Sequence, residues 1–174
     1  VLELVEEGLV QGLRIDHPDG LADPRAYLER LPPVPVWVEK ILEPGESLRD
    51  WPVEGTTGYE FANDVTALFV DPAGAGPLTD LYAELTGETR SFAEVAYESK
   101  LELARAEFGR EFARLRSLLH HPRLEEAASS LGVYRTYVEP WSGRVEPADR
   151  EALAGVPAEL RRVLLLEERG DPEF

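Results

Sequence analysis

The sequence holds no cysteine and no methionine, and only 2 of its 18 basic residues are lysine, Lys40 and Lys100. Without cysteine there are no disulfides, no Cys-ligated zinc and no thiol nucleophile. Positive charge is scarce altogether: 34 acidic against 18 basic side chains leave a formal net charge of -16. A nucleic-acid groove needs clustered Lys and Arg for its phosphates, so that class is disfavoured. A polybasic membrane-surface segment is disfavoured for the same reason. No run approaches the roughly 18 apolar residues of a spanning helix, and no charged-then-apolar leader pattern opens the sequence. A cytoplasmic setting without membrane or nucleic-acid partners is the expectation. The missing methionine, with Val1 in first place, suggests an excised segment or a processed product. The arginine bias, with 14 Pro and 14 Gly, reads as GC-rich base composition and carries no mechanism. What remains, 174 residues of which 43% are hydrophobic, is enough for a real core.

Residues 1–11 read as the end of a helix, with Leu2, Val5, Leu9 and Val10 at helical spacing. Leu13-Arg14-Ile15-Asp16 then alternates apolar and polar and stops at His17-Pro18-Asp19-Gly20, a short strand with a hard end. Asp23-Pro24 supplies an N-cap and a first-position proline for a helix over 23–31. Val36-Trp37-Val38-Glu39-Lys40-Ile41-Leu42 is the second predicted strand. Strand, helix and strand joined this tightly form a βαβ unit, so the two strands are expected to be parallel. Residues 43–63 read as loop. From 64 to 131 the pattern is helical: a short helix capped by Asp64, one starting at Thr79 or Asp80, and a long one opened by the capping box Ser91-Phe92-Ala93-Glu94. The stripe Leu101, Ala104, Phe108, Phe112, Leu115 and Leu119 predicts one continuous helix ending at His120-His121-Pro122. Residues 132–138 are rich in β-formers and read as a third strand. Residues 147–169 read as two short helices broken near Gly155. The implied division is 1–63 around the strands, 64–132 helical, and 133–174 a return strand and helices.

The chemistry-bearing residues lie on the two parallel strands. Arg14 and Asp16 are two apart and share a face, with Asp16 at the carboxyl end. Glu39 occupies the matching end of the second strand. Neighbouring strands run about 4.8 Å apart, which would bring two carboxyls near the roughly 5–5.5 Å of a retaining glycosidase pair. A strand-end Asp can equally serve as a turn former. A Glu among Val36, Trp37, Val38 and Ile41 is harder to dismiss, because a buried carboxylate is costly unless paired or used.

Gly12-Leu13-Arg14-Ile15-Asp16-His17-Pro18-Asp19-Gly20-Leu21 resembles the fourth-strand motif of the alpha-amylase superfamily, and Val36-Trp37-Val38-Glu39-Lys40-Ile41-Leu42 resembles the fifth. With Gly55-Thr56-Thr57-Gly58-Tyr59-Glu60-Phe61, the three stretches together are similar to the maltooligosyl trehalose synthase family. The best-matching part is 10–65. The resemblance implies an α/β fold, a partial (β/α)8 TIM-barrel segment of about strands 4 to 6 with a mainly helical inserted subdomain. It implies a mutase that turns the reducing-end α-1,4 bond of a maltooligosaccharide into α,α-1,1 by retaining double displacement, in trehalose biosynthesis. Position by position, Asp16 matches the nucleophile, Glu39 the acid/base and Arg14 the arginine that keeps the nucleophile ionised. His17, Lys40 and Tyr59 match as sugar contacts. The implied partners are an α-1,4-glucan substrate, the rest of a synthase chain and a trehalose-releasing hydrolase; no cofactor and no metal are implied. The superfamily's first motif and its third acid, on the seventh strand, have no counterpart here. A barrel of this kind takes about 250 residues, so an internal segment with two of three catalytic acids is expected.

Other features have plainer readings. His120-His121 diverge at a helix end with no third ligand nearby, so they do not read as a metal site. Gly55-Thr56-Thr57-Gly58 lacks the Gly-Lys-Ser/Thr of a phosphate loop. An indole face suits the apolar side of a sugar; Trp51, in a loop, is the expected platform, whereas Trp37 reads as core. Two other functions fit parts of the pattern: a related hydrolase or 4-α-glucanotransferase using the same two carboxylates, and a non-catalytic helical interaction module.

Overall fold

Leu13, Val36 and Val38 are the apolar residues around which the first part of the chain is built, and all three are buried. The computed structural model describes residues 1–168. The chain divides into two units, Val1–Ala75 and a second from Gly76 onward. The first contains helix α1 (Leu2–Glu6), strand β1 (Leu13–Ile15), helix α2 (Pro24–Glu29), strand β2 (Val36–Val38), strand β3 (Gly55–Thr56) and helix α3 (Tyr59–Ala67). The sheet order is β1-β2-β3. β1 pairs parallel with β2 in the register Leu13↔Val36, Arg14↔Trp37, Ile15↔Val38. β2 pairs parallel with β3, Trp37↔Gly55 and Val38↔Thr56. The expected βαβ unit is present. Asp23 caps α2 by accepting from the Ala26 N–H at 2.9 Å, with Pro24 in the first turn.

Alternation along β1 and β2 separates two faces. Leu13, Val36 and Val38 point to the buried side with Leu28 of α2. Burying a valine as fully as Val38, at 0% exposure, stabilises by about 1.5–3 kcal/mol. Arg14 and Trp37 point to the other side, and Trp37 remains 42% exposed.

Three expectations for this unit are corrected. β3 lies inside the stretch read as loop. Its two residues are Gly and Thr, without apolar alternation, and pairing comes from backbone bonds: Glu54 N–H to Val36 O at 2.8 Å and Thr57 N–H to Val38 O at 3.0 Å. The second strand ends at Val38 rather than at 42. Helix α3 starts at Tyr59, not after Asp64, because Gly58 turns with φ 88° and its N–H bonds the Thr56 hydroxyl at 3.1 Å.

The second unit is helical: α4 (Ala75–Thr86, beginning one residue before the boundary), α5 (Phe92–Ala106), α6 (Gly109–Leu119), α7 (Leu124–Ser129), α8 (Pro147–Ala152) and α9 (Ala158–Leu164). Its core is Ala104, Phe112, Leu124, Ala127, Leu153, Val156, Leu160 and Leu165. The single long helix expected over 91–119 is two helices, parted at Glu107 and Phe108. A straight helix cannot pack against itself, whereas α5 and α6 touch each other and both touch α7. Gly109, a weak helix former, opens α6, and Phe108 of the predicted stripe is 47% exposed. The strand expected at 132–138 is not formed. The Tyr137 N–H donates to the buried Asp149 carboxylate at 2.9 Å, and only Glu139 and Arg144 form an antiparallel bridge. α8 and α9 follow the predicted pair of helices. Arg169, the end of that predicted stretch, lies with 170–174 outside the described residues.

The capping box at α5 forms as expected, with Ser91 accepting from the Glu94 N–H and Glu94 accepting from the Ser91 N–H. Hydrogen bonds from the Ser91 hydroxyl and then its backbone N–H hold Glu94 below the usual carboxylate range. Hydrogen bonds from the Arg90 side chain pull Glu88 down to about 2. A carboxylate with a depressed folded-state value stabilises above its unfolded value and stops doing so as acid protonates it. Protection of the amides in the first turn of α5, taken relative to their intrinsic exchange rates, is therefore expected to fall as acid protonates Glu94, while that in α6 lags. In Ser91→Ala the loss of protection should be present already at neutral pH; equal protection of α5 in both proteins would count against the capping argument.

Candidate active site

The carboxyl ends of β1 and β2 carry Asp16 and Glu39 one step beyond the last paired residues, Ile15 and Val38. The pairing continues through that step, since the Glu39 N–H donates to Ile15 O at 2.7 Å. Parallel neighbours in register point to the same side, so Asp16 and Glu39 stand side by side on the face that carries Arg14 and Trp37. Glu39 reaches across the gap: its Oε2 accepts from the His17 N–H at 3.2 Å. Arg14 Nη1 lies 2.8 Å from Asp16 Oδ1.

That ion pair is open to water, with side-chain exposures of 55% and 73%. Such a pair contributes about 0–1 kcal/mol, so stability alone gives little reason for it. A cation beside one of two neighbouring acids makes their surroundings unequal, the arrangement from which acid/base pairs divide their roles.

The chain leaves β1 sharply. His17 takes a left-handed conformation with φ 45° and leads into the 3-10 turn Pro18–Gly20. The imidazole lies over Gly20, where an added Cβ would sit 2.7 Å from His17 Cδ2. Glycine is needed there for close approach. Behind the turn Asp19 is buried against Lys40.

Four of the residues singled out from the sequence are therefore brought together: Arg14, Asp16, His17 and Glu39. Tyr59 lies just past the carboxyl end of β3, on the first turn of α3, and is 45% exposed. Lys40 and Trp51 are placed differently from expectation. Lys40 is 1% exposed, with Nζ 3.2 Å from Asp19 Oδ2 and 2.9 Å from Glu46 Oε1. Trp51 is 7% exposed and belongs to the packed side. Neither offers a sugar a surface here. The tryptophans exchange the expected parts, for it is Trp37 that is open, its ring against Gly12 on the face of the acids. Parity could have shown this: Trp37 and Glu39 are two apart on one strand and share a side. His120 ends α6 in a left-handed conformation, and His121 Nδ1 accepts from the Arg123 N–H, so the two serve the helix end.

The fold of the chain is similar to that of solved structures. A maltooligosyltrehalose synthase from Arthrobacter ramosus superposes with a TM-score of 0.76 at 35% identity, covering 94% of this chain and 23% of that one. A Sulfolobus tokodaii protein, a "hypothetical maltooligosyl trehalose synthase", gives 0.77 at 30% identity, covering 90% and 23%. A Mycobacterium tuberculosis protein named "Putative maltooligosyl trehalose synthase" is 36% identical over 137 residues, 72% of this chain. This chain is a relative of the maltooligosyl trehalose synthases. It spans 18% of the length of that curated relative. No family model matches the sequence. The likeness to the synthases covers both the strand-bearing and the helical parts, since 94% of the chain is aligned. Among the described residues, no helix is long and apolar enough to cross a membrane.

Proposed function

We propose that the chain supplies the nucleophile and the acid/base of a maltooligosyl trehalose synthase, which moves a reducing-end α-1,4 linkage to α,α-1,1 in trehalose biosynthesis. The observation that carries this reading is the register of β1 and β2, which sets Asp16 and Glu39 side by side at the carboxyl ends of adjacent parallel strands. Asp16 attacks the anomeric carbon and forms a β-glycosyl ester as the glycosidic bond breaks. Glu39 gives its proton to the departing oxygen, then takes one from the anomeric hydroxyl of the released glucose as that hydroxyl displaces Asp16. Arg14 stabilises the Asp16 carboxylate as it leaves. Tyr59 and the open indole of Trp37 are placed to touch the sugar, and His17 to touch it from the turn. Mutase chemistry needs the cleaved glucose held while water is kept out.

A parallel sheet is normally covered on both faces, yet Arg14 and Trp37 are exposed. That supports reading β1, β2 and β3 as consecutive strands of a (β/α)8 barrel, with this face inside and chemistry at the carboxyl ends. The family's third acid has no match here, so turnover by the 174-residue chain alone is expected to fall below detection, because preorganised electrostatics is usually the largest catalytic term. The cytoplasm, with a trehalose-releasing hydrolase acting next, fits this reading.

The test is a chimera in which residues 10–65 replace the matching stretch of the Arthrobacter ramosus enzyme, followed by product analysis with maltopentaose. The expected product is the non-reducing trehalose-capped sugar. Free glucose as the main product would turn the reading into a hydrolase, and cleavage by the separate 174-residue chain would show the site to be misplaced.

A further inference from the structure

Lys40 is the most deeply buried charged side chain near the two acids, and a sugar contact does not account for it. Its side chain is 0% exposed, and its ammonium lies between Asp19 Oδ2 at 3.2 Å and Glu46 Oε1 at 2.9 Å. Taking an ammonium out of water costs several kcal/mol unless good partners surround it, so the arrangement calls for a reason. Position supplies one. Lys40 follows Glu39 in the chain, and Asp19 comes three residues after Asp16. The ion pair thus joins the two segments that leave the sheet immediately beyond the acids.

Each anchor is stiff. The turn bearing Asp19 is held by Gly20 N–H to His17 O at 3.1 Å and Leu21 N–H to Pro18 O at 3.0 Å. A displacement of Asp19 is therefore passed to His17, whose N–H meets the Glu39 carboxylate. Glu46 sits in a second turn, closed by Glu46 N–H to Glu43 O at 2.8 Å and by Glu43 N–H to Glu46 Oε2 at 3.0 Å. One ammonium draws both turns onto the end of β2.

We infer that Lys40 is a positioning residue: its buried pairing with Asp19 and Glu46 latches the 17–20 turn against β2 and so sets the distance at which Glu39 meets the His17 amide beside Asp16. The importance of that distance for catalysis rests on the reading given under Proposed function; the latch itself does not.

The test reads the His17–Glu39 hydrogen bond directly, by amide NMR of the 174-residue chain. An N–H that donates to a carboxylate shifts when the acceptor becomes an amide, so Glu39→Gln should move the His17 amide proton upfield. The same change is then made in Lys40→Met, Asp19→Asn and Glu46→Gln backgrounds. The latch predicts that the displacement caused by Glu39→Gln falls by about half or more in each, because a hydrogen bond weakens steeply with length and misalignment. The Leu13 amide, bonded to Pro35 O at the start of β1, should keep its shift. Should Lys40→Met fail to fold, the two neutralised carboxylates decide the matter, since both retain their side-chain shape. An undiminished displacement in Asp19→Asn and Glu46→Gln, or an equal movement of Leu13, overturns the latch. Because nothing in the measurement depends on turnover, an inactive chimera would remove the catalytic reading while leaving this result to stand or fall by itself.

Discussion

Asp16→Asn in the chimera is expected to reduce maltopentaose turnover by roughly 10,000-fold or more, because a carboxamide cannot form the glycosyl ester and residues acting as one unit lose nearly everything together. The loss should be the same with a maltooligosyl fluoride, since every donor must pass through Asp16. Glu39→Gln should behave otherwise. On maltopentaose the loss is roughly 100- to 10,000-fold, the usual reach of general acid–base catalysis. On the fluoride, whose departure needs little protonation, formation of the glycosyl-enzyme should be largely spared. The contrast follows from the roles proposed above, and the surroundings of the two acids differ accordingly: Asp16 carries the Arg14 guanidinium at 2.8 Å, while Glu39 is held by the His17 backbone N–H. Steady-state rates on both donors check it, and equal losses for the two variants on both donors would remove the division of roles.

Asp149→Ala is expected to destabilise the helical unit by about 3 kcal/mol, because two hydrogen bonds to a charged acceptor are lost and their donors left without it. Asp149 is 0% exposed. Its Oδ1 accepts from the Tyr137 N–H and its Oδ2 from the Glu146 N–H, each at 2.9 Å. One side chain therefore both caps α8 and ties down the segment at 132–138. Asp149→Asn, keeping one acceptor oxygen, should lose less. A fall in the denaturant midpoint at constant slope is the measurement. A midpoint for Asp149→Ala within about 0.5 kcal/mol of the parent, the range of ordinary surface substitutions, would show that the segment is held by something else.

Wherever structure follows from neighbours in the chain, the residues alone were informative. The alternation of Leu13, Arg14, Ile15 and Asp16 was enough to place β1, and Asp23-Pro24 and Ser91-Phe92-Ala93-Glu94 were enough to start α2 and α5. Both acids could be put at one end of a parallel pair because a βαβ connection leaves little freedom. The residues at 132–138 misled for a related reason. They have the composition of a strand, but a strand is a relation between two segments, and here a carboxylate takes the Tyr137 N–H.

Chemistry and local geometry, then, were already written into the order of the side chains: two carboxylates at strand ends, an arginine two residues before one of them, and a turn that cannot continue the strand. Burial was not. Trp37 lies between two valines and Trp51 between an aspartate and a proline, yet it is Trp37 that is 42% exposed and Trp51 that is 7% exposed. Lys40 is expected to meet a sugar and lies at 1% exposure between two acids. β3 is recognisable only once Val36 and Val38 offer it carbonyls, and α5 and α6 separate only because their apolar faces must meet α7. Helical and strand periodicities repeat over a few residues and are visible locally, whereas burial and pairing depend on segments tens of residues away, whose approach no local pattern encodes.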